Sequence, residues 1–434
     1  MKRFHLLIPV LLFASLACSL VPETVPASTP TSSRSFFASP IPDTPAPPTT
    51  PPTLADEDAT NARQPPATVP PAVALPQAAV VYLEPGDPLT PDTIRMIDAL
   101  NGWAISGASV LFTADGAQTW REATPPEALI SGSQVQAQGT FLDAEHAWVV
   151  FSFDNQVPTS AVVWHTNDSG RTWIRGAPLE HQAFGEHVWA EFSVLDESHL
   201  WLMVRGVYAG AGIHYAAQFF RSANGGLTWL PLIGDVGIDY TGLVFADSNH
   251  GLMTWQTTGA YAPAPPEYAV TADGADNWEV RQLPPPSDAP DVFDTSAYCE
   301  PFQPQMLSNQ SLRLLVGCFD IHDPPQEFSS YFYSSEDGGK TWSSMPLPEK
   351  VLANQAALFF FDEENALLLG RDIYRSVDSG QTWEYVKSVT WDAQFSFVDP
   401  QTGWGIARAN NESALVKTSN GGALWVEIKP VIAP

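Results

Sequence analysis

The sequence predicts an all-β protein: a seven-bladed β-propeller of four-stranded antiparallel blades, preceded by a signal peptide and a Pro/Thr-rich linker. Three observations predict it. An eight-residue pattern, S/T-x-D-x-G-x-T-W, occurs seven times, ending at Trp120, Trp173, Trp229, Trp278, Trp342, Trp383 and Trp425 with a period of 41 to 64 residues. A periodicity of this size marks an array of supersecondary units. A second pattern, F-x-D-x-x-x-G-W or a variant of it, precedes each box, as in FLDAEHAW at Phe141–Trp148 and FVDPQTGW at Phe397–Trp404. Short strand-like runs flank both patterns, and evenly spaced short strands with Gly/Asp turns read as a propeller, barrel or sandwich.

The chain opens with Lys2 and Arg3, an apolar run at Leu6–Phe13 and small residues up to Cys18. This reads as a signal peptide over residues 1–18. Ser15-Leu16-Ala17-Cys18 resembles a bacterial lipobox, with Ser where Leu is usual. Cys18 is therefore the expected lipidation site. The cysteine count agrees: of three cysteines, Cys299 and Cys318 are expected to pair, which leaves Cys18 odd. Residues 19–78 are rich in Pro, Thr, Ala and Ser and read as a disordered linker that holds no core. No other segment is apolar for the ~18 residues that a spanning helix needs.

Residues 79–434 hold the repeats. Each has four strands, with one Asp-containing turn between the first and second and the box between the third and fourth. Position three of the box is Asp115, Asp168, Asn224, Asp273, Asp337, Asp378 or Asn420. Asp and Asn cap nearby N–H groups and Gly takes positive φ, so these seven residues are expected to be structural. Seven equivalent sites on separate blades point away from one another, which argues against metal ligation or catalysis. All four strands of blade 7 fit before Pro434, so blades 1 and 7 are expected to meet without a borrowed strand, with residues 80–83 available to add to one of them.

The boxes resemble the Asp-box, or bacterial neuraminidase, repeat of sialidases, sortilin-type receptors, xyloglucan-cleaving hydrolases and photosystem II assembly-factor propellers. The preceding F-x-D-x-x-x-G-W pattern looks most like the last group. The resemblance implies the propeller fold over about Ala79–Pro434. It spans enzymes and non-enzymes, so it does not fix an activity. Sialidases carry an Arg-Ile-Pro motif, which this chain lacks.

The functional residues are sought on the face that carries the long, variable connections: Ser152–Ser160, Gly206–Ala216, Gln256–Pro266, Leu283–Pro301 and Phe319–Ser330. Arg205, Arg371 and Arg408 each fall four residues after the Trp or Leu of the second pattern, at the same end of their strands. They are expected on this face, either binding carboxylates or pairing with local acids. Five residues before the second-pattern Asp lie Gln138, Glu191, Gln303 and Gln394, a polar set expected to line a central channel. The expected function is a non-catalytic module that binds a protein or glycan through the loop-rich face. The alternative is a glycoside hydrolase with Trp189, Tyr240 and Trp391 as sugar platforms and Glu191 and Asp392 as a carboxylate pair.

No H-x-x-H, P-loop, G-x-S-x-G or dinucleotide pattern occurs, so no cofactor, metal or catalytic set is implied. The net charge of −28 argues against nucleic acid and anionic lipid as partners. Membrane contact is expected only through Cys18, and the protein is expected to be an exported monomer.

Overall fold

The computed structural model describes residues 83–434 except 127–134, 154–156, 158–159, 182–185, 210–212, 234–238, 257–263, 297, 309, 320–327, 346 and 349–350. The expected signal peptide, Cys18 and nearly all of the segment before Leu83 lie outside the described residues. Seven antiparallel sheets follow one another round a ring, each built from strands consecutive in sequence. Blade 1 begins at Thr93–Met96, blade 2 at Val135–Phe141, blade 3 at Glu186–Val194, blade 4 at Asp239–Phe245, blade 5 at Tyr298–Pro301, blade 6 at Ala357–Phe360 and blade 7 at Asp392–Phe397.

The core is not inside the blades but between them. Seven apolar clusters occur, and each mixes residues from two adjacent blades. A strand's alternating faces explain this. In the second strand of blade 2, His146–Phe153, Trp148 and Val150 pack toward blade 3, whereas Ala147, Val149 and Phe151 pack toward blade 1. The same alternation recurs in blade 6, where Ala366 and Leu368 face blade 5 and Leu367 and Leu369 face blade 7. Both faces of a blade are buried, so its second strand reads as a continuous apolar run rather than an alternating one.

Two turns lock together at one end of every blade. The second-pattern residues Asp98, Asp143, Asp196, Asp247, Asp362 and Asp399 each accept from the N–H groups two and three residues on. In blade 5, where the second pattern reads Met306-Leu307-Ser308, Ser308 stands at the Asp place and keeps the turn, accepting from Gln310 N and Ser311 N. The box turn then donates an N–H back to this first turn, as in Gly225 N to Ser198 O (3.0 Å) and Gly421 N to Gln401 O (2.9 Å). Because the strands alternate in direction, the second-to-third and fourth-to-first connections lie on the opposite face.

Three details depart from the sequence reading. The ring takes an added strand: Val431–Ile432 pairs in parallel with Thr119–Trp120 on the outer edge of blade 1. Residues before Thr93 join it, with Gly86 N donating to Ile432 O and Leu89 N to Pro430 O. The blade 3 insertion at 206–216 is largely not a loop, because pairing continues from Gly206↔Ala216 to Ala209↔Ile213 and lengthens the hairpin. The inner strand of blade 5 is broken into Tyr298–Pro301 and Gln305–Met306.

Cys299 and Cys318 form a disulfide between directly opposed residues of adjacent strands, with Cα atoms 4.1 Å apart. Closing a loop of this length contributes about 3 kcal/mol. Cys318→Ala should lower the unfolding free energy by about that amount, and the wild type should lose the same on reduction. Equal denaturation midpoints with and without reductant would contradict this.

A second prediction concerns Gly226, whose φ is +80° and whose added Cβ would lie 3.1 Å from Trp148 of the preceding blade. Gly226→Ala should destabilise by about 1–3 kcal/mol, read by urea denaturation.

Candidate functional site

The box residues carry structure, as expected. In blade 2 the Asp168 carboxylate accepts from Arg171 N (2.9 Å), Thr172 N (2.8 Å) and the hydroxyls of Thr172 (2.6 Å) and Thr166 (2.9 Å). Asp115, Asp273, Asp337 and Asp378 repeat this set in outline. Asn224 and Asn420 keep its acceptor half, from Thr228 N and Leu424 N. Slight burial would raise the Asp168 carboxyl, but these hydrogen bonds outweigh it and bring it down to about 2.

The loop-rich face is held by the three arginines. Each reaches the start of the next blade. Arg205 of blade 3 donates to Tyr240 O of blade 4 (2.9 Å), pairs with Glu191 and lies 5.7 Å from the Trp189 ring centroid. Arg371 of blade 6 forms a bidentate pair with Asp392 of blade 7, at 2.8 and 2.9 Å. Arg408 of blade 7 donates to Asp92 O before blade 1 (2.8 Å). The shared register is real, and each arginine bonds across a blade junction. Arg371 and Arg408 do share one hollow of about 470 Å³ at blades 6 and 7, with Asp392, Asn410, Asn411 and Glu412. Arg205 stands apart.

Of the polar set expected to line a central channel, Gln138 and Gln394 lie on one cavity at the inner strands and Glu191 and Gln303 on another. An inner strand's two faces point to its two neighbouring blades, so the polar side chains meet backbone there. Gln394 accepts from Ile94 N and donates to Ile94 O, both at 3.0 Å, across the seam from blade 7 to blade 1. Gln138 accepts from Ala190 N (2.6 Å), joining blades 2 and 3. Gln305, of the same polar strand face, makes the same two-bond clasp on Phe360 between blades 5 and 6 (2.9 and 3.0 Å). Its signal was its place in the polar series three residues before Ser308. Gln303 instead lines a small cavity of about 240 Å³ with Glu191.

The hydrolase constellation is not assembled. Glu191 and Asp392 line different cavities and each has its own arginine. Burial raises the Glu191 carboxyl, against the pull of Arg205. Nor are the platforms presented. Tyr240 is 3% exposed and packs edge-on to Phe219, 4.7 Å between centroids. Trp391 packs edge-on to Trp425 at 5.6 Å. Trp189 is half-buried beside Arg205. Among the described residues no group of three or more His, Cys, Asp or Glu could hold a metal ion.

A larger cavity, about 680 Å³, lies where the inner strands of blades 7, 1, 2 and 3 come together, lined by Gln394, Arg95, Gln138 and Ala190 among others. Contact with four consecutive blades places it at the axis of the ring.

These features define a seven-bladed propeller with a rigid turn face and a variable loop face. No protein family and no curated protein matches the chain. Among solved structures it is similar to one described as YCF48 bound to D1 peptide, at 17% identity over 79% of this chain and 97% of that one, TM-score 0.48. It is also similar to YCF48 from Cyanidioschyzon merolae (14% identity, 77% and 98% covered, TM-score 0.44). A third is a polysaccharide lyase of family PL25, an ulvan lyase (11%, 67% and 81%, TM-score 0.45). At these identities the likeness is one of fold.

The box aspartates set an acid limit. Their folded-state pKa lies below the ordinary 3.8, at about 2 for Asp168. A lowered carboxylate pKa stabilises the fold fully above the unfolded value, and this contribution is lost as pH falls through the folded one. Thermal midpoints should therefore drop between about pH 4 and pH 2. Changing Asp115, Asp168, Asp273, Asp337 and Asp378 to Asn, the residue that blades 3 and 7 already use, should flatten that drop. An unchanged pH profile would refute the assignment.

Proposed function

We propose that the chain is an exported, lipid-anchored binding propeller that holds a protein partner on its loop-rich face and catalyses no reaction on it. The observation that carries this reading is the polar hollow between blades 6 and 7. Arg371 and Arg408 bring donors there, while Asp392 and Glu412 bring acceptors. Asn410 and Asn411 form its rim with left-handed backbone, φ +52° and +64°. Mixed donors and acceptors on a rigid scaffold suit an extended polypeptide, whose backbone offers both. A glycan is supported less, because Tyr240 and Trp391 are turned into the packing between blades instead of toward a sugar. The Cys299–Cys318 disulfide supports an oxidising location, and the lipobox-like Cys18 supports the anchor.

The pair Arg371–Asp392 is exposed on both sides, so it contributes little to stability. The double variant Arg371→Ala, Arg408→Ala should therefore keep its melting temperature and lose binding to the peptides that the wild type retains on a peptide array. Retained peptide binding in the variant, or turnover of xyloglucan or ulvan by the wild type, would overturn the reading. Cys18→Ala should move the protein from the membrane to the soluble fraction.

A further inference from the structure

Glutamine clasps join the inner strands of blades 7 and 1, 2 and 3, and 5 and 6, and none is present between blades 1 and 2 among the described residues. Gln394 and Ser396 stand five and three residues before the second-pattern Asp of blade 7, and both bond to the backbone of blade 1. The equivalent residues of blade 1 are Thr93 and Arg95. Among the described residues, neither side chain bonds to blade 2. The cavity of about 680 Å³ opens where that clasp would be.

Arg95 is unusual in its surroundings. In a chain of net charge −28, the other arginines near the axis and on the loop face are engaged: Arg205 with Glu191, Arg371 with Asp392, and Arg408 with Asp92 O. Arg95 has no acidic or carbonyl partner among the described residues. It is reached by solvent within the cavity but ringed by protein, and this desolvation lowers its pKa with no acid to offset it. The one carboxylate on the cavity wall, Asp92, already accepts from Gly107 N (2.7 Å). The rest of the wall mixes apolar Ile105, Phe141 and Val194 with polar Gln136, Gln138 and Gln394.

We propose that this cavity is a binding site for a small organic carboxylate, with Arg95 as the anion-binding residue. A guanidinium matches a carboxylate in a planar two-bond geometry. Apolar surface with a few convergent polar groups is the usual make-up of a small-molecule site, and the volume lies within the usual range. Such a lining asks for recognition only. The site is separate from the hollow between blades 6 and 7, so either assignment can fail without the other.

The test is calorimetric titration of the full-length protein with sodium benzoate. One saturable site is expected, with neutral benzyl alcohol binding at least about tenfold more weakly. Arg95→Ala should weaken benzoate by at least about tenfold and leave the melting curve in place, because the residue has no structural bond to lose. Arg95→Lys should keep part of the affinity. Arg175→Gln, on the exposed outer strand of blade 2, should change nothing. Absence of saturable binding would overturn the proposal, as would equal affinity for the alcohol or an unchanged affinity in Arg95→Ala.

Discussion

The whole disc depends on side chains of one blade finding backbone in the next. The fixed point is an indole N–H set into a box turn. Trp148 of blade 2 donates to Gly225 O of blade 3 (2.8 Å), Trp201 of blade 3 to Gly274 O of blade 4 (3.4 Å), and Trp404 of blade 7 to Gly116 O of blade 1 (3.2 Å). At blades 4 and 5 a Tyr268 hydroxyl does this to Gly339 O (2.9 Å). Trp148, Trp201 and Trp404 are almost wholly buried, so each places a large apolar ring and satisfies its one donor in the same act. The left-handed residues at positions four and five of the box bring the carbonyl within reach. This is why a surface turn keeps its glycines: the turn is a socket as well as a bend.

Blade order follows from these sockets. A blade without its neighbour would expose one apolar face and several buried carbonyls, so neither folds usefully alone. The apolar packing between blades supplies area, and the indole and glutamine bonds supply direction and register. Several polar groups near the axis are used for that purpose. The glutamines Gln138, Gln305 and Gln394 have the chemistry of ligand-binding residues, yet their partners are neighbouring strands.

The sequence made the fold legible because its two turns repeat, and turn chemistry is local. Ser308 could be recognised as a worn Asp since a hydroxyl also accepts from nearby N–H groups. The equivalent places of Arg205, Arg371 and Arg408 were legible too, by register. Their partners were not. Whether an arginine meets a ligand or the next blade depends on the rotation between sheets, which no single repeat encodes. The same limit explains Tyr240 and Trp391: an aromatic near a loop reads as a platform, but the neighbouring blade covers it. Gly206–Ala216 was long enough to read as a loop, although pairing can simply run on when the alternation does. Arg95 was visible only as one polar residue in a series. Its distinction is that it lies on a cavity wall with no acidic or carbonyl partner among the described residues, and that takes the other blades to see.

The closing strand has a mechanical consequence. Val431–Ile432 lies parallel to Thr119–Trp120 on one side and bonds to Gly86 and Asp87 on the other, while Leu89 N donates to Pro430 O beside it. Beneath it, Ile432, Trp120, Trp404 and Leu89 share one apolar cluster. Both ends of the ring are thus tied at a single seam. A pull applied through the segment before Leu83 would reach that seam first and load a few hydrogen bonds together with the buried Ile432. The six remaining junctions, each joined within continuous chain, would bear tension only after it had opened.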